Sequence, residues 1–154
     1  MKKKQMFWWG LIVVVLAIQL IPVHRPEIIE QNPADLIQTT QVPPAVASLL
    51  KNSCYDCHSM QTTYPWYAHV APISWLVSRD VRDGRRHVNF SDWNNLKLSK
   101  KAKVLDKISD EVSDGSMPFF LYPLMHKKAK LTAADRKQIV DWTHSYSKGL
   151  VGDK

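Results

Sequence analysis

Both cysteines of the chain stand in one pentapeptide, Cys54-Tyr55-Asp56-Cys57-His58. Two thiols three positions apart, with an imidazole directly after the second, are the groups that attach c-type haem. The thiols can reach the two vinyl groups on one edge of a porphyrin and form thioethers, and the histidine then turns under the ring to the iron. Cys54 and Cys57 are accordingly read as the covalent attachment points of one haem c, and His58 as the proximal iron ligand. Other readings of the same cysteines fare worse. A thioredoxin-like Cys-x-x-Cys needs a βαβ setting, which the sequence does not offer. Zinc would need two further ligands, and no cysteine remains to supply them.

The sixth ligand decides what such an iron does. Met117 is preferred, because it sits in the loop sequence Asp114-Gly115-Ser116-Met117-Pro118, pinned beside a proline and far enough along the chain to reach the distal side. Met125, His69, His87, His126 and His144 stay open as alternatives, and so does an unligated distal position. Met60 is too near the attachment site to fold over the opposite face. No residue stands out as a general acid or base. Tyr64, Trp66, Tyr67, Trp75, Trp93 and Trp142 can pack on a porphyrin or simply fill the core. Arg79, Arg85 and Arg86 can pair with propionates or stand solvated. The lysines between Lys97 and Lys103 make either a docking face for an acidic partner or an ordinary helix surface.

These groups need elements to hold them. Val46, Leu49 and Leu50 share one face of a short helix from about Pro44 to Ser53. Pro72 opens a second, Ile73 to about Asp83, with Gly84 as its stop. Ser99 caps a third, with Val104, Leu105, Ile108 and Val112 as its stripe. Thr132 and Asp135 form a capping-box variant that opens the last, which buries Ile139, Val140, Trp142 and Tyr146 and leaves Gly149 past its end. No strand-like alternation of useful length occurs. The expected fold is all-α: a small, cytochrome c-like helical domain around one covalent haem. Residues 44–148 form that domain, 24–43 a proline-containing tether, and 149–154 a tail.

Ahead of them, Lys2-Lys3-Lys4 precede an apolar run from Met6 to Val23, interrupted only by Gln19. At about 1.5 Å per residue that run reaches roughly 27 Å, against a hydrocarbon core of about 30 Å. Residues 1–23 are therefore expected to be a single transmembrane helix or a signal. An uncleaved anchor is favoured, because the run lacks paired small residues at a cleavage site. The soluble domain would then lie on the periplasmic side of a bacterial inner membrane. The net charge of +7 points to no nucleic acid, since three of the 21 cationic residues are in that N-terminal cluster and the rest exceed the 14 acidic ones only modestly. The 5 glycines form no phosphate-binding loop.

The chain also resembles a known family, the bacterial haem-binding-domain proteins of the small c-type cytochrome class. The resemblance is carried by Asn52 to Ser59, Tyr64-Pro-Trp-Tyr67, Ala71-Pro-Ile-Ser-Trp-Leu76, Asp80-Val81, Gly84-Arg85 and Asn89-Phe-Ser-Asp-Trp93. Met117-Pro118 and the Leu131 to Trp142 segment continue it. It implies covalent haem on Cys54 and Cys57, with His58 proximal and Met117 distal. In similar cytochromes a proline after the motif offers its carbonyl to the proximal imidazole, which here would be Pro72. A monohaem electron carrier for membrane or periplasmic redox proteins follows from a saturated iron. The alternative is a haem sensor or peroxidase-like enzyme with an open or displaceable distal site.

Overall fold

A computed structural model describes residues 2–152; Met1 and the last two residues of the expected tail lie outside it. Among the described residues the chain is all-helical, with no strand. The α-helices are α1 (Lys3–Ile18), α2 (Leu36–Thr39), α3 (Pro44–Ser53), α4 (Tyr55–His58), α5 (Ile73–His87), α6 (Leu98–Ser113), α7 (Tyr122–Met125) and α8 (Ala133–Gly152). Single 3-10 segments at Trp66–His69, Phe90–Asn95 and Lys127–Ala129 join them.

The core forms where α6 lies on α8. Val104, Leu105, Ile108 and Val112 recur at helical spacing on α6, and Ile139, Trp142 and Tyr146 do so on α8. Trp93 fills the space beneath them, fully buried, and its indole N–H donates to the Tyr146 hydroxyl at 3.2 Å. The start of α8 is fixed by the expected box: the Asp135 carboxylate accepts from the Thr132 N–H, and the Thr132 hydroxyl accepts from the Asp135 N–H. The helix does not stop at Gly149 but continues to Gly152.

Residues 24–43 run across the domain surface and into it. Carbonyls of His24, Pro26 and Glu27 accept from Ser78, Tyr64 and Arg85. Leu36 is fully buried, and beside it the Asp35 carboxylate accepts from Tyr55, Gln61, Ser91 and the Ile37 N–H. That buried hub caps α2 and ties three distant segments together.

The N-terminal expectation is corrected. No helix among the described residues is long and apolar enough to cross a membrane. α1 has 16 residues, which at about 1.5 Å each span roughly 24 Å, short of a bilayer core of about 30 Å. Just past its end Gln19 turns its carboxamide to the domain: Oε1 accepts from the Ala71 N–H at 2.9 Å, and Nε2 donates to the Ala71 carbonyl at 3.1 Å. The apolar run read as one span is thus cut by a polar side chain that pairs with the α5 entry. The single-pass transmembrane helix, and the inner-membrane address built on it, do not stand.

Candidate functional site

The cysteine motif is shaped by a break between two helices. α3 ends at Ser53, Cys54 leaves helical geometry at φ −127°, and the chain then makes the single turn α4. The Cys54 carbonyl accepts from both Cys57 N–H and His58 N–H, so the pentapeptide curls and sets the thiols one turn apart. Its two intervening residues serve as anchors. Tyr55 is buried, stacks on Phe90 with centroids 5.4 Å apart, and donates to Asp35 at 2.9 Å. Asp56 points outward, accepts from the Thr63 N–H at 2.9 Å and accepts from the Tyr122 hydroxyl at 2.5 Å.

α5 closes on this turn. Gly84 is not the helix stop expected of it; it lies inside α5, where a Cβ would stand 2.5 Å from the Cys57 carbonyl oxygen. Only glycine lets the two backbones approach so closely. The approach delivers the Gly84 carbonyl to His58, whose Nδ1–H donates to it at 2.9 Å, with the Val88 carbonyl further off at 3.4 Å. A carbonyl can only accept, so the proton sits on Nδ1 and the Nε2 lone pair is left for a metal. Pro72 does not have the role expected of it, since its carbonyl accepts from the Trp75 N–H. Burial pushes the His58 pKa down, against the pull of the two backbone carbonyls, and keeps the imidazole neutral as a ligand must be.

The two cysteines are unpaired. Burial pushes Cys54 up to about 12, helped by neighbouring Cys57, and Cys57 up to about 11, helped by Asp56 and Asp80. Both are protonated thiols at neutral pH, not the low-pKa thiolate of a redox dithiol. Among the described residues no group of three or more His, Cys, Asp or Glu side chains is arranged to hold a metal ion.

Beside His58 opens a cleft of about 170 Å³. Cys54, Val88 and Phe90 line it with His58, while Val104, Ile108 and Val112 of α6 make a second apolar wall. Met117 reaches the same cleft, at 36% exposure, from the loop after α6. That loop is turned by Gly115 at φ 86°, by the Asp114 carboxylate accepting from the Ser116 N–H, and by the Met117 N–H donating to Glu111 at 2.8 Å.

Of the other ligand candidates only His87 lines the cleft, and in sequence it stands between Gly84 and Val88, whose carbonyls face Nδ1 of His58. His69 and Met125 are exposed; His126 Nε2 is 2.6 Å from the Tyr67 hydroxyl, and His144 Nε2 is 2.9 Å from the Ser109 hydroxyl. Arg85 is committed to Ser59, Thr62 and Glu27, and Arg79 pairs with Asp80. Neither they nor Arg86 line the cleft; the lysine that does is Lys107, which no sequence signal singles out. Trp93 and Trp142 are core, and Trp66 is exposed. Lys101 is buried with its ammonium 6.0 Å from the Trp93 ring, so the lysine run is partly a packing surface.

A neutral imidazole with a free Nε2, a thioether sulfur and the Cys54 thiol share one cleft with apolar walls, and the Cys57 thiol stands one turn along the same pentapeptide; the set suits an iron porphyrin. The class so defined is a small helical haem protein. The chain belongs to the haem-binding-domain family, whose sequence model matches residues 13–145. The match begins within α1, consistent with the seam between Gln19 and Ala71. No curated protein and no solved structure matches the chain.

Proposed function

We propose that the protein is a monohaem c-type cytochrome that carries single electrons between redox proteins. Cys54 and Cys57 hold the porphyrin through thioethers, His58 is the proximal ligand and Met117 the distal one. The observation that carries this reading is the hydrogen bond from His58 Nδ1 to Gly84, which fixes both tautomer and ring orientation beside a cleft that Met117 also enters. Bound there, haem would supply a one-electron Fe(III)/Fe(II) couple. The chain's own part is to keep the ligands in place and the cleft apolar. Neither task needs a proton to move.

The test is an optical spectrum of protein matured with c-type haem machinery, oxidised and reduced, with and without CO. Sulfur-to-iron charge transfer in the far red, and a reduced spectrum that CO leaves unchanged, would support a saturated His58/Met117 iron. A spectrum lacking the far-red band, with ready CO binding, would move the assignment to a sensor or a peroxidase-like enzyme.

A further inference from the structure

Met117 is a ligand held from outside the cleft. α6 ends beside it at Ser113, and a short loop then leads to a side chain more than a third exposed. Packing around the sulfur therefore does little to fix it. The loop backbone is fixed instead. One terminal nitrogen of Arg136, Nη1, donates to the Val112 carbonyl at 2.8 Å and to the Met117 carbonyl at 2.9 Å. A single planar NH₂ group thus joins the last buried residue of α6 to the residue that enters the cleft, and the loop between them is clasped at both ends. The Met117 N–H closes it from the other side by donating to Glu111 at 2.8 Å.

Arg136 itself has a firm footing. It stands in the first turn of α8, its N–H donates to Thr132, and the Thr132–Asp135 box fixes that turn. Ile139 and Trp142, next along the helix, are buried in the core. Arg136 enters none of the ion pairs formed among the described residues, which join Arg79 to Asp80, Arg86 to Asp83 and Lys137 to Asp141. Its charge-assisted hydrogen bonds are given to two carbonyls, one in the last turn of α6 and one in the loop after it. A guanidinium suits this because its donors are fixed in a plane, whereas a lysine ammonium is a point charge on a mobile stem.

We infer that Arg136 is the positioning residue for the distal ligand: it references Met117 to the α6–α8 core and so sets how much of the iron is methionine-bound. The inference rests on the proposed His58/Met117 ligation. Without the clasp the Met117 backbone is free to swing outward, and the balance shifts from a bound sulfur towards an open sixth position.

The experiment compares haem-loaded wild type with Arg136→Gln, Arg136→Lys and Met117→Ala, and with Lys137→Gln as a neighbouring surface control. The readouts are the far-red charge-transfer band of the oxidised protein, the rate of CO binding to the reduced protein, and thermal unfolding. The expected result is a weakened band in Arg136→Gln, with CO binding faster on the order of tenfold. Arg136→Lys should fall in between, Met117→Ala should lose the band altogether, and Lys137→Gln should match wild type. If Arg136→Gln fails to load haem, Arg136→Lys carries the comparison. An unchanged band and CO rate in the Arg136 variants, with only a lowered unfolding temperature, would overturn the inference and leave the ligand assignment standing. A wild type without the band would overturn the ligand assignment, and the inference with it.

Discussion

The two sides of the cleft are built differently. On the side of His58 almost every polar group is buried and partnered: Nδ1 on Gly84, Tyr55 on Asp35, Ser59 Oγ on the Tyr55 carbonyl, Thr62 Oγ1 on the Asp56 carbonyl. On the side of Met117 the chain from Met117 to Met125 is largely exposed, with Phe120 at 68% and Leu124 at 71%. It is held by a few directed bonds, those of Arg136 and the Tyr122–Asp56 contact. The first side is set by the packing of α3, α4 and α5. The second depends on individual hydrogen bonds, which makes it the side where ligation can be tuned without unfolding the domain.

The contrast can be pressed by substitution, and the largest effect is expected at Gly84. A Cβ there meets backbone, not a flexible side chain, so α5 must move off α4. Gly84→Ala should cost about 3 kcal/mol in chemical denaturation and disturb the His58 ring with it. A cost near zero would mean that the α4–α5 approach does not set the proximal side. Next comes Asp35→Ala, which strands the buried Tyr55 hydroxyl and uncaps α2; a loss of about 2–3 kcal/mol is expected. If Asp35→Ala unfolds like wild type, the hub is not structural.

On the distal side the same kind of change should matter less. Tyr122→Phe removes the bond to Asp56 and should cost about 1 kcal/mol, with haem loading intact. A loss as large as that of Gly84→Ala would erase the distinction between the two sides. The smallest effect at neutral pH, and one that grows with alkalinity, concerns the haem-free thiols. Their folded values lie above the usual 9.0, at about 12 for Cys54 and about 11 for Cys57. From pH 9 to about 11 the unfolded chain gives up protons that the folded chain keeps, so stability should fall as pH rises through that window. Denaturation midpoints of the haem-free protein would show it. Replacing both cysteines with serine should flatten the curve, and a slope that survives the replacement would assign it elsewhere.

Much of this arrangement is legible in the amino-acid sequence. The motif is local, so its spacing alone brings Cys54, Cys57 and His58 to one turn, and the stripes of α3, α6 and α8 are visible because helical periodicity is local too. What depends on distant partners is not legible. Gly84 looks like a helix stop until Cys57 is known to lie against it. Asp35 looks like a residue of a proline-containing strap, although it is buried among Tyr55, Gln61 and Ser91. The N-terminal run reads as one apolar span, because nothing in its composition says that Gln19 pairs with Ala71. Arg136 carries no signal of its own: its link to Met117 exists only once α8 lies beside the end of α6.

The most direct test of the central claim is the intact mass of the matured protein after denaturation and acidic extraction of free haem, followed by digestion. Covalent attachment predicts the polypeptide plus one haem, with the added mass on the fragment that contains Cys54 and Cys57. A mass equal to that of the bare polypeptide, with all the haem in the extract, would contradict it.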